Sequence, residues 1–444
     1  MPEQMNLNGK RIVVVGMGVS GIAAANFLHA HGARLVMTDL REDLDREKFP
    51  PGETHFGRED PKWVRGADLV VTSPGVPRDS ALLRAAADAE IPVISEIELA
   101  SRFISAPIAA VTGTNGKSTV AVLLGEMLKA GGLKTFVGGN LGTPLTYAIG
   151  AGDDAAVAEV SSFQLEWIEQ FRPHVGIYLN LADDHCDRYE NLEDYGRVKA
   201  RLFENQDGRD FAVLNRDDPN VWKLASTVRS RPIGFSLAGR GEAPSMWPEG
   251  DAIAFDFGGL TGKISVAGFR LKGRHNLANA MAAVAGAVLM GAKEAAIESA
   301  LSSFKGLPHR IELVREKDGV SYIDDSKGTN VGATVEAIAA VPAPVILIAG
   351  GTGKGGEYAP LIAPIREKVR LTILNGAARE EMRAALAGAG EIVTVPKLAD
   401  AVALAAQSAR PGDTVLLSPA CSSFDQFRNY AERGDIYKKL VLAL

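Results

Sequence analysis

The sequence is poor in cysteine, in long apolar runs and in clustered positive charge. Only Cys186 and Cys421 are present, too few for a disulfide framework. The most apolar stretch, residues 12–28, is interrupted by three glycines and by polar residues, which argues against a membrane span. With 48 basic and 54 acidic residues, a formal charge of −6 and no long basic run, the chain lacks the electrostatic features of a nucleic-acid binder. The polar first residues also lack the plan of a signal peptide, so we expect a cytoplasmic protein without membrane insertion. A monomer is a separate expectation.

What the sequence does contain is an alternation of short apolar runs and helix-length amphipathic runs. This alternation is typical of an α/β fold, in which crossover helices connect parallel strands. At 444 residues and 46% hydrophobic content, the chain is long enough for more than one domain. We predict three blocks, which carry the strand-like segments RIVVVG, RLVMTD and DLVVTSPGV in the first, PIAAVT, AAVAEV, VGIYLN and FAVLN in the second, and SYIDDS, PVILIAGG, LTILNG and TVLLSPA in the third.

The segment TGTNGKST joins a predicted strand to a predicted helix. The usual phosphate-loop spacing, G-x-x-x-x-G-K-[ST], would require a glycine two residues before Gly113. Gly113 and Gly116 nevertheless permit a positive φ, so successive N–H groups can converge on phosphate oxygens at the helix N-terminus. Lys117 can reach the terminal phosphates, and Ser118 or Thr119 offers a hydroxyl for Mg²⁺. We therefore predict a contracted loop that binds the triphosphate of ATP, with a glycine-rich turn and an incidental lysine as the alternative.

This loop is accompanied by the segments GMGVSG, EVSSFQLE, DDHCDRY, GLPHRIE, DDSKGTN and SPACSSFDQFRNYAERG. Together they resemble the Mur ligase family of ATP-dependent amide-forming ligases, and the resemblance covers all three blocks. It implies a Rossmann-like N-terminal domain at residues 1–97, a central P-loop-type ATPase domain with a mostly parallel sheet at 98–306, and a Rossmann-like C-terminal domain at 307–444.

Within the family, DDSKGTN and the last of these segments resemble one particular branch. That branch adds D-glutamate to UDP-N-acetylmuramoyl-L-alanine through an acyl phosphate, in the synthesis of the peptidoglycan precursor. Three alternatives stay open: another Mur-type ligase, a folylpolyglutamate-type amide ligase, and a non-catalytic nucleotide-binding sensor.

Polar residues beyond two predicted strands are candidates for metal binding and catalysis. Glu159 ends an apolar strand, where a carboxylate that faces the loop suits an Mg²⁺ ligand, although it could also be a solvated strand end. The resemblance implies that Lys199 is carbamylated and that two Mg²⁺ ions bind. An ammonium about 4 Å from a divalent ion would be repelled by about 8 kcal/mol at an effective dielectric of about 20, and a carbamate reverses that sign. Read alone, Lys199 is a surface lysine on a helix. The implied catalytic residues are Lys117, Glu159, His185 and Lys199, and the implied metal ligands are Ser118, Glu159, His185 and Lys199.

In the first block, GMGVSG fits the G-x-G-x-x-G pattern of dinucleotide-binding folds, and Asp39 ends the following strand. The motif alone is weak, because a glycine turn at a helix N-terminus can bind the diphosphate of a UDP-sugar as well as that of a redox cofactor. The resemblance favours the UDP-sugar. The implied contacts to it are Val19, Ser20, Asp39, Arg41, Ser73, Gly75, Asn140, Ser161, Gln164 and His185.

The resemblance also implies contacts to ATP and to D-glutamate. The ATP contacts are Gly113, Thr114, Asn115, Gly116, Lys117, Ser118, Thr119, Asn276, Asn279, Arg310 and Asp325. The two helix asparagines could also be caps. A side-chain carboxylate calls for cationic and hydroxyl donors, and the implied D-glutamate contacts are Lys327, Thr329, Lys354, Ser423 and Tyr430.

Overall fold

A computed structural model describes residues 5–184, 188–271, 273–353 and 357–444 of the chain. Its contacts cluster into two compact units, one formed by most of residues 5–304 and one formed by Lys305–Leu444 with two short earlier segments. In the described residues the strands form three sheets, of which the first two belong to the first unit and the third to the second unit. None of the described helices is long and apolar enough to cross a membrane.

The first sheet is parallel throughout and has the strand order β3-β2-β1-β4-β5. Its strands are β1 (Arg11–Val15), β2 (Arg34–Asp39), β3 (Glu53–Phe56), β4 (Leu69–Thr72) and β5 (Val93–Ser95), and its helices are α1 (Val19–Ala30), α2 (Ala81–Asp88) and α3 (Glu96–Ser101). Ile12 and Val14 pack on one face of β1, whereas Val13 and Val15 pack on the other. Burial of both faces explains the continuous apolar run, and the strand order is the Rossmann order without its sixth strand.

The second sheet has the order β14-β13-β12-β11-β10-β9-β6-β8-β7. Its strands are β6 (Ile108–Thr112), β7 (Thr135–Gly139), β8 (Ala155–Glu159), β9 (Val175–Tyr178), β10 (Phe211–Asn215), β11 (Arg231–Phe235), β12 (Ser245–Glu249), β13 (Ala252–Asp256) and β14 (Thr261–Ser265). The helices that accompany them are α4 (Lys117–Ala130), α5 (Ser162–Leu165), α6 (Leu192–Ala200), α7 (Pro219–Trp222), α8 (Arg274–Leu289) and α9 (Glu294–Ser303).

Most pairs of this sheet are parallel, and only the β12–β13 and β13–β14 pairs are antiparallel in the described residues. Strand β6 lies between β8 and β9. Because parallel strands end at the same edge of a sheet, the loop after β6 lies beside the residues that follow β8 and β9.

The third sheet has the order β15-β16-β20-β17-β18-β19, and only its β15–β16 pair is antiparallel in the described residues. Its strands are β15 (Glu312–Lys317), β16 (Val320–Asp324), β17 (Val345–Gly350), β18 (Val369–Asn375), β19 (Ile392–Thr394) and β20 (Thr414–Leu417). Its helices are α10 (Val331–Ala340), α11 (Ile362–Lys368), α12 (Arg379–Ala385), α13 (Leu398–Ser408) and α14 (Tyr430–Ala443). Val345 and Leu347 pack on one face of β17, and Ile346 and Ile348 pack on the other.

One predicted domain boundary falls inside a helix and the other falls between two elements. Residue 97 lies inside α3, whereas residue 306 lies in the segment between α9 and β15. The division into three domains at these residues stays a prediction.

Candidate active site

The loop between β6 and α4, residues 113–116, has the conformation that its two glycines permit. Gly113 has a φ of 146° and Gly116 a φ of 88°, and Gly116 is the N-cap of α4. A Cβ atom on Gly116 would lie 2.3 Å from Oδ1 of Asn279, which α8 brings against the loop. Both the backbone conformation and the close approach therefore require glycine at this position.

Asn180, which follows β9, holds this loop through three hydrogen bonds. Its carbonyl accepts the N–H of Thr114 at 2.9 Å, and its Oδ1 accepts the N–H of Asn115 at 2.8 Å. Its Nδ2 donates in return to the Asn115 carbonyl at 3.1 Å. Asn180 was missed in the sequence analysis, although a polar residue directly after an apolar strand was an available signal. It fixes the shape of the loop in advance of any ligand.

Lys117 begins α4, and its side chain lies along the loop. Its Nζ donates to the carbonyl of Gly113 at 2.9 Å and to that of Thr114 at 2.8 Å. A positive side chain, the N-terminus of a helix and the loop amides thus coincide, which is the combination that binds phosphate.

Glu159, at the end of β8, is a buried carboxylate beside the loop. Only 3% of it is exposed, so a solvated strand end is the wrong interpretation. Its Oε2 accepts the Ser118 hydroxyl at 2.5 Å, and its Oε1 accepts Nδ2 of Asn140 at 2.7 Å. Oγ1 of Thr119 is also buried and has no hydrogen-bond partner in the described part of the chain. Closely spaced carboxylate and hydroxyl oxygens are the donors that a hard divalent cation takes.

Lys199, on α6, is also brought to the loop. Only 1% of it is exposed, so the surface lysine that the residue suggests when read alone is wrong. Its Nζ donates to the Gly113 carbonyl at 2.9 Å and lies 4.4 Å from the centroid of the Tyr195 ring. His185, its predicted partner, lies outside the described residues.

A cavity of about 420 Å³ lies at the carboxyl ends of β1, β2 and β4. Gly16, with a φ of 85°, admits the turn into α1, and a Cβ atom on Gly21 would lie 1.9 Å from the Gly16 carbonyl oxygen. The six predicted contacts to the UDP-sugar that come from the first sheet all line this cavity: Val19, Ser20, Asp39, Arg41, Ser73 and Gly75.

Asp39 connects the cavity to the glycine turn. Its Oδ2 accepts the N–H of Met17 at 2.7 Å, and its two oxygens accept Nε and Nη2 of Arg41 at 3.0 and 2.7 Å. Burial opposes ionisation of this carboxyl, but the hydrogen bonds from Arg41 and Met17 outweigh it and keep its pKa below the usual value. Asp39 is therefore an anion that orients Arg41 at the cavity wall.

Three further predicted contacts to the UDP-sugar lie beside the phosphate loop instead. Asn140 contacts Glu159, as described above. Ser161 and Gln164 form the capping box of α5, in which the Ser161 Oγ accepts the Gln164 N–H at 3.3 Å and Oε1 of Gln164 accepts the Ser161 N–H at 3.0 Å. Their side chains thus stabilise the start of a helix directly after β8.

In the second unit, Asp325 and Lys327 follow β16. Burial raises the pKa of Asp325 to about 7, although the Arg310 charge and the hydrogen bond from Ser418, at 2.7 Å, favour the ionised form. Lys327 Nζ lies 3.2 Å from the hydroxyl of Tyr430 and 4.9 Å from the centroid of its ring.

The remaining predicted contacts are placed as follows. Asn276 and Asn279 lie three residues apart on α8, and both are buried. Ser423 is buried and Thr329 is half-buried, whereas Lys354 lies outside the described residues.

The fold and the loop define a class: an α/β protein with a contracted phosphate loop and a buried carboxylate for nucleotide chemistry. Family models match most of the chain. They are the Mur ligase MurD-like N-terminal domain at residues 10–95, the Mur ligase middle domain at 111–287, and the Mur ligase glutamate ligase domain at 309–421. The chain belongs to the Mur ligase family, and it is an enzyme of ATP-dependent ligation.

Relatives and solved structures agree with this assignment. A UDP-N-acetylmuramoylalanine–D-glutamate ligase from Geotalea daltonii is 46% identical over 99% of each chain. One from Thermoanaerobacter sp. is 41% identical and covers 99% of this chain and all of that one. A pseudomurein peptide ligase type C from Methanothermus fervidus has a TM-score of 0.63 at 18% identity, with 98% of this chain and 100% of that chain covered. The MurC UDP-N-acetylmuramate-alanine ligase from Thermotoga maritima has a TM-score of 0.61 at 18% identity, with 98% and 99% covered. These structures share the fold and confirm the predicted fold class.

Proposed function

We propose that the protein joins D-glutamate to UDP-N-acetylmuramoyl-L-alanine and cleaves ATP to ADP and phosphate. One observation carries the choice of substrates: relatives named for this reaction match the chain over its whole length at up to 46% identity. The geometry at the phosphate loop supports the ATP-dependent step. We further propose three domains, at residues 1–97, 98–306 and 307–444, in a cytoplasmic monomer.

A carboxylate is a poor electrophile, so it must be activated before an amine can attack it. In the first step, a carboxylate oxygen of UDP-N-acetylmuramoyl-L-alanine attacks the γ-phosphorus, the new O–P bond forms, and the bond to ADP breaks. Lys117 and the N–H groups at the start of α4 would orient the triphosphate and compensate its charge, which is the main requirement of phosphoryl transfer.

In the second step, the amine of D-glutamate attacks the acyl carbon. A tetrahedral adduct forms and collapses, inorganic phosphate leaves, and the nitrogen loses a proton to give the amide. The D-glutamate contacts would be Lys327, Thr329, Lys354, Ser423 and Tyr430. Asp39 and Arg41 would hold the UDP part of the other substrate in the cavity at the carboxyl ends of β1, β2 and β4.

The oxygen donors beside the loop fit a divalent cation. Oγ of Ser118 and Oε2 of Glu159 lie 2.5 Å apart, and Oγ1 of Thr119 is buried without a partner in the described residues. We propose that Ser118, Glu159, His185 and carbamylated Lys199 hold two Mg²⁺ ions. When bound, such ions neutralise phosphate charge.

The position of Lys199 supports the carbamate. Its side chain is almost completely buried, and its Nζ lies 2.9 Å from the Gly113 carbonyl of the phosphate loop, so a group on Nζ would lie beside the proposed triphosphate site. The lone pair of a neutral amine adds to the carbon of CO₂, and loss of one proton leaves a carbamate anion. The carbamate places a negative charge next to the phosphate loop, where the ammonium would place a positive one, and so attracts metal cations.

Phosphate release tests the proposed function. The protein, Mg²⁺, ATP and UDP-N-acetylmuramoyl-L-alanine are supplied with a panel of D- and L-amino acids, and we expect release with D-glutamate alone. Release with another amino acid would indicate another Mur-type ligase, and release with a folate acceptor and L-glutamate would indicate the folylpolyglutamate type. Binding of ATP without release from any pair would indicate a nucleotide sensor.

A further inference from the structure

The turn that carries Arg310 has an unusual backbone. His309 has a φ of 61° and Ile311 a φ of 49°, so both neighbours of Arg310 adopt the left-handed conformation that side chains disfavour. Such a conformation persists only where surrounding contacts hold it, and it is often found at functional sites. Glu312 Oε2 accepts the N–H of His309 at 2.8 Å, which is one such contact.

The imidazole of His309 provides a second, buried contact of this turn. It is 6% exposed, and its Nδ1 lies 2.7 Å from Oδ2 of Asp324, whose side chain is completely buried. The other oxygen of Asp324 accepts the N–H of Ser326 at 2.9 Å, and the His309 carbonyl accepts the N–H of Lys327 at 3.0 Å. The pair therefore joins the Arg310 turn to the segment after β16.

The same segment is held from its other side by α14. The Ser326 hydroxyl donates to the Tyr430 carbonyl at 2.7 Å. Arg433 donates from Nε to the Ser326 Oγ at 2.9 Å and from Nη2 to the Ser326 carbonyl at 2.8 Å. Burial lowers the pKa of Arg433 to about 10, which leaves the guanidinium charged at neutral pH. Ser326 and Lys327 are thus fixed between His309 and Arg433.

A metal ion is the alternative occupant of this region. Ligand atoms of His309, Glu312 and Asp324 all lie within 4.8 Å of one another. However, the ammonium of Lys438 already lies 2.7 Å from each oxygen of Glu312. Lys438 therefore already supplies a positive charge to Glu312, and no metal ion is needed for that purpose. The His309–Asp324 contact is better explained as a positioning hydrogen bond.

We propose that the hydrogen-bonded pair His309 and Asp324 positions two substrate-binding cations of the ligase at once, Arg310 for ATP and Lys327 for D-glutamate. The proposal rests on the proposed function, which gives Lys327 its role, and on the ATP contact that the family resemblance implies for Arg310. His309 is a positioning residue, because it acts on the substrates only through its neighbours in the chain.

The test compares His309→Leu, which removes the hydrogen bond, with His309→Asn, whose amide nitrogen can replace Nδ1. In His309→Leu we expect KM for D-glutamate and KM for ATP to rise about tenfold, as loss of a charged hydrogen bond would give. KM for UDP-N-acetylmuramoyl-L-alanine should stay unchanged. His309→Asn should recover most of both losses, whereas a purely structural role would lower the melting temperature without selecting among substrates.

Gly434→Ala provides an independent variant on α14. A Cβ atom there would lie 2.1 Å from Nδ1 of His309, so the imidazole must move. Alanine favours a helix over glycine by about 1 kcal/mol, so a loss in this variant cannot come from weaker helix propensity. The matched control is Lys439→Gly, which lowers the propensity of α14 at an exposed position. We expect the selective rise in KM in Gly434→Ala and not in Lys439→Gly.

The outcomes separate this inference from the proposed function. If the wild-type protein releases phosphate but His309→Leu and Gly434→Ala leave all three KM values unchanged, or raise them equally, the positioning role is overturned and the function stands. If the wild-type protein releases no phosphate from these substrates, both are overturned.

Discussion

The molecule contains two glycine turns of the same plan with different surroundings. The turn at Gly16 leads from β1 into α1, and the turn at Gly116 leads from β6 into α4. Both glycines have a positive φ, of 85° and 88°, and both turns deliver the chain to the N-terminus of a helix. At the position directly after the N-cap, α1 has Val19, which is 66% exposed, whereas α4 has Lys117.

The side chains around the two turns account for the difference in proposed role. The first turn faces a cavity in which Asp39 is paired with Arg41, an arrangement that can hold an anion in place. The second turn meets a buried carboxylate, Glu159, and a buried lysine, Lys199. Backbone amides at a helix end bind phosphate in either case, but transfer of a phosphoryl group also requires charges that stabilise the transition state. The comparison leads to four predictions.

The largest effect is expected at Lys199, whose Nζ donates to the Gly113 carbonyl in the second turn. Lys199→Ala should give no measurable phosphate release, because it removes the group that would carry the carbamate. A short carboxylic acid should restore part of the activity by supplying the missing oxygens. Arg197→Ala, at an exposed position on the same helix, is the matched control. Full activity of Lys199→Ala without added acid or bicarbonate would reject the carbamate.

The next largest effect is expected at Lys117. Lys117→Ala should lower kcat about a hundredfold, or about 3 kcal/mol, because a preorganised positive charge next to the transferred phosphoryl group is lost. The measurement is phosphate release at saturating substrates. Lys129→Ala, on the exposed side of the same helix, should behave as the wild type. Turnover within a factor of about two of the wild type would contradict the assigned role.

A smaller effect of a different kind is expected at the first turn. Asp39→Ala frees Arg41 and leaves the N–H of Met17 without its acceptor. We expect KM for UDP-N-acetylmuramoyl-L-alanine to rise about tenfold and kcat to stay unchanged, because binding is lost and the reacting groups are untouched. Asp45→Ala, at an exposed position nearby, is the control. A fall in kcat with an unchanged KM would contradict the assignment of substrate binding to the first turn and phosphoryl transfer to the second.

The last prediction concerns stability rather than activity, and the contact between the two sheets that carry these turns. Glu96, at the start of α3, accepts the N–H of Thr146, beyond β7, at 2.6 Å. Burial raises its pKa from the ordinary 4.5 to about 7, although the hydrogen bonds from Thr146 favour the charged form. The folded protein therefore binds a proton that the unfolded chain releases between these values. That stability is fully present below about pH 4.5 and is lost as the pH rises through about 7.

Glu96→Gln should remove this contribution. In the wild type, the free energy of unfolding that depends on Glu96 should be lower by about 2 kcal/mol at about pH 8 than at about pH 5.5. Urea unfolding of both proteins at both pH values measures the difference, and Asp325 contributes a residual slope of the same sign. Glu126→Gln, with an exposed carboxyl, is the control. Equal pH dependence in Glu96→Gln and the wild type would contradict the raised pKa.

Much of the fold was predictable because its central strands are buried on both faces. RLVMTD is observed as β2, and the segments around β6, β8 and β17 are strands as expected. Strand β3, with the sequence ETHF, was missed because it is a polar, largely exposed edge strand without a hydrophobic pattern. Strands β12 and β14 were missed for a similar reason, since SMWPE and TGKIS are only partly apolar. Strand β13, with the sequence AIAFD, was missed although its three central residues are buried.

The candidate site was less completely predictable. Gly113, Gly116 and Lys117 are close together in the sequence, so the phosphate loop could be predicted without knowledge of tertiary packing. For Asn180 the only signal was its place after an apolar strand, which many turn residues share, and Arg433 gave none, because an arginine in a helix is ordinarily an exposed residue. Only the fold shows that the first holds the loop and that the second is buried against Ser326.

The sequence by itself determined the local conformations: a strand, a glycine turn that tolerates a positive φ, and a helix with a lysine at its positive end. Neighbouring residues are sufficient for this, because backbone sterics and helix termini act over a few positions. The tertiary structure decided which charges are buried and what they meet. Ser118 contacts Glu159 across 41 residues, and Lys199 contacts Gly113 across 86, because adjacent parallel strands bring their ends to one edge of the sheet. Desolvation and partner charges then set the chemistry, and both depend on residues far away in the chain.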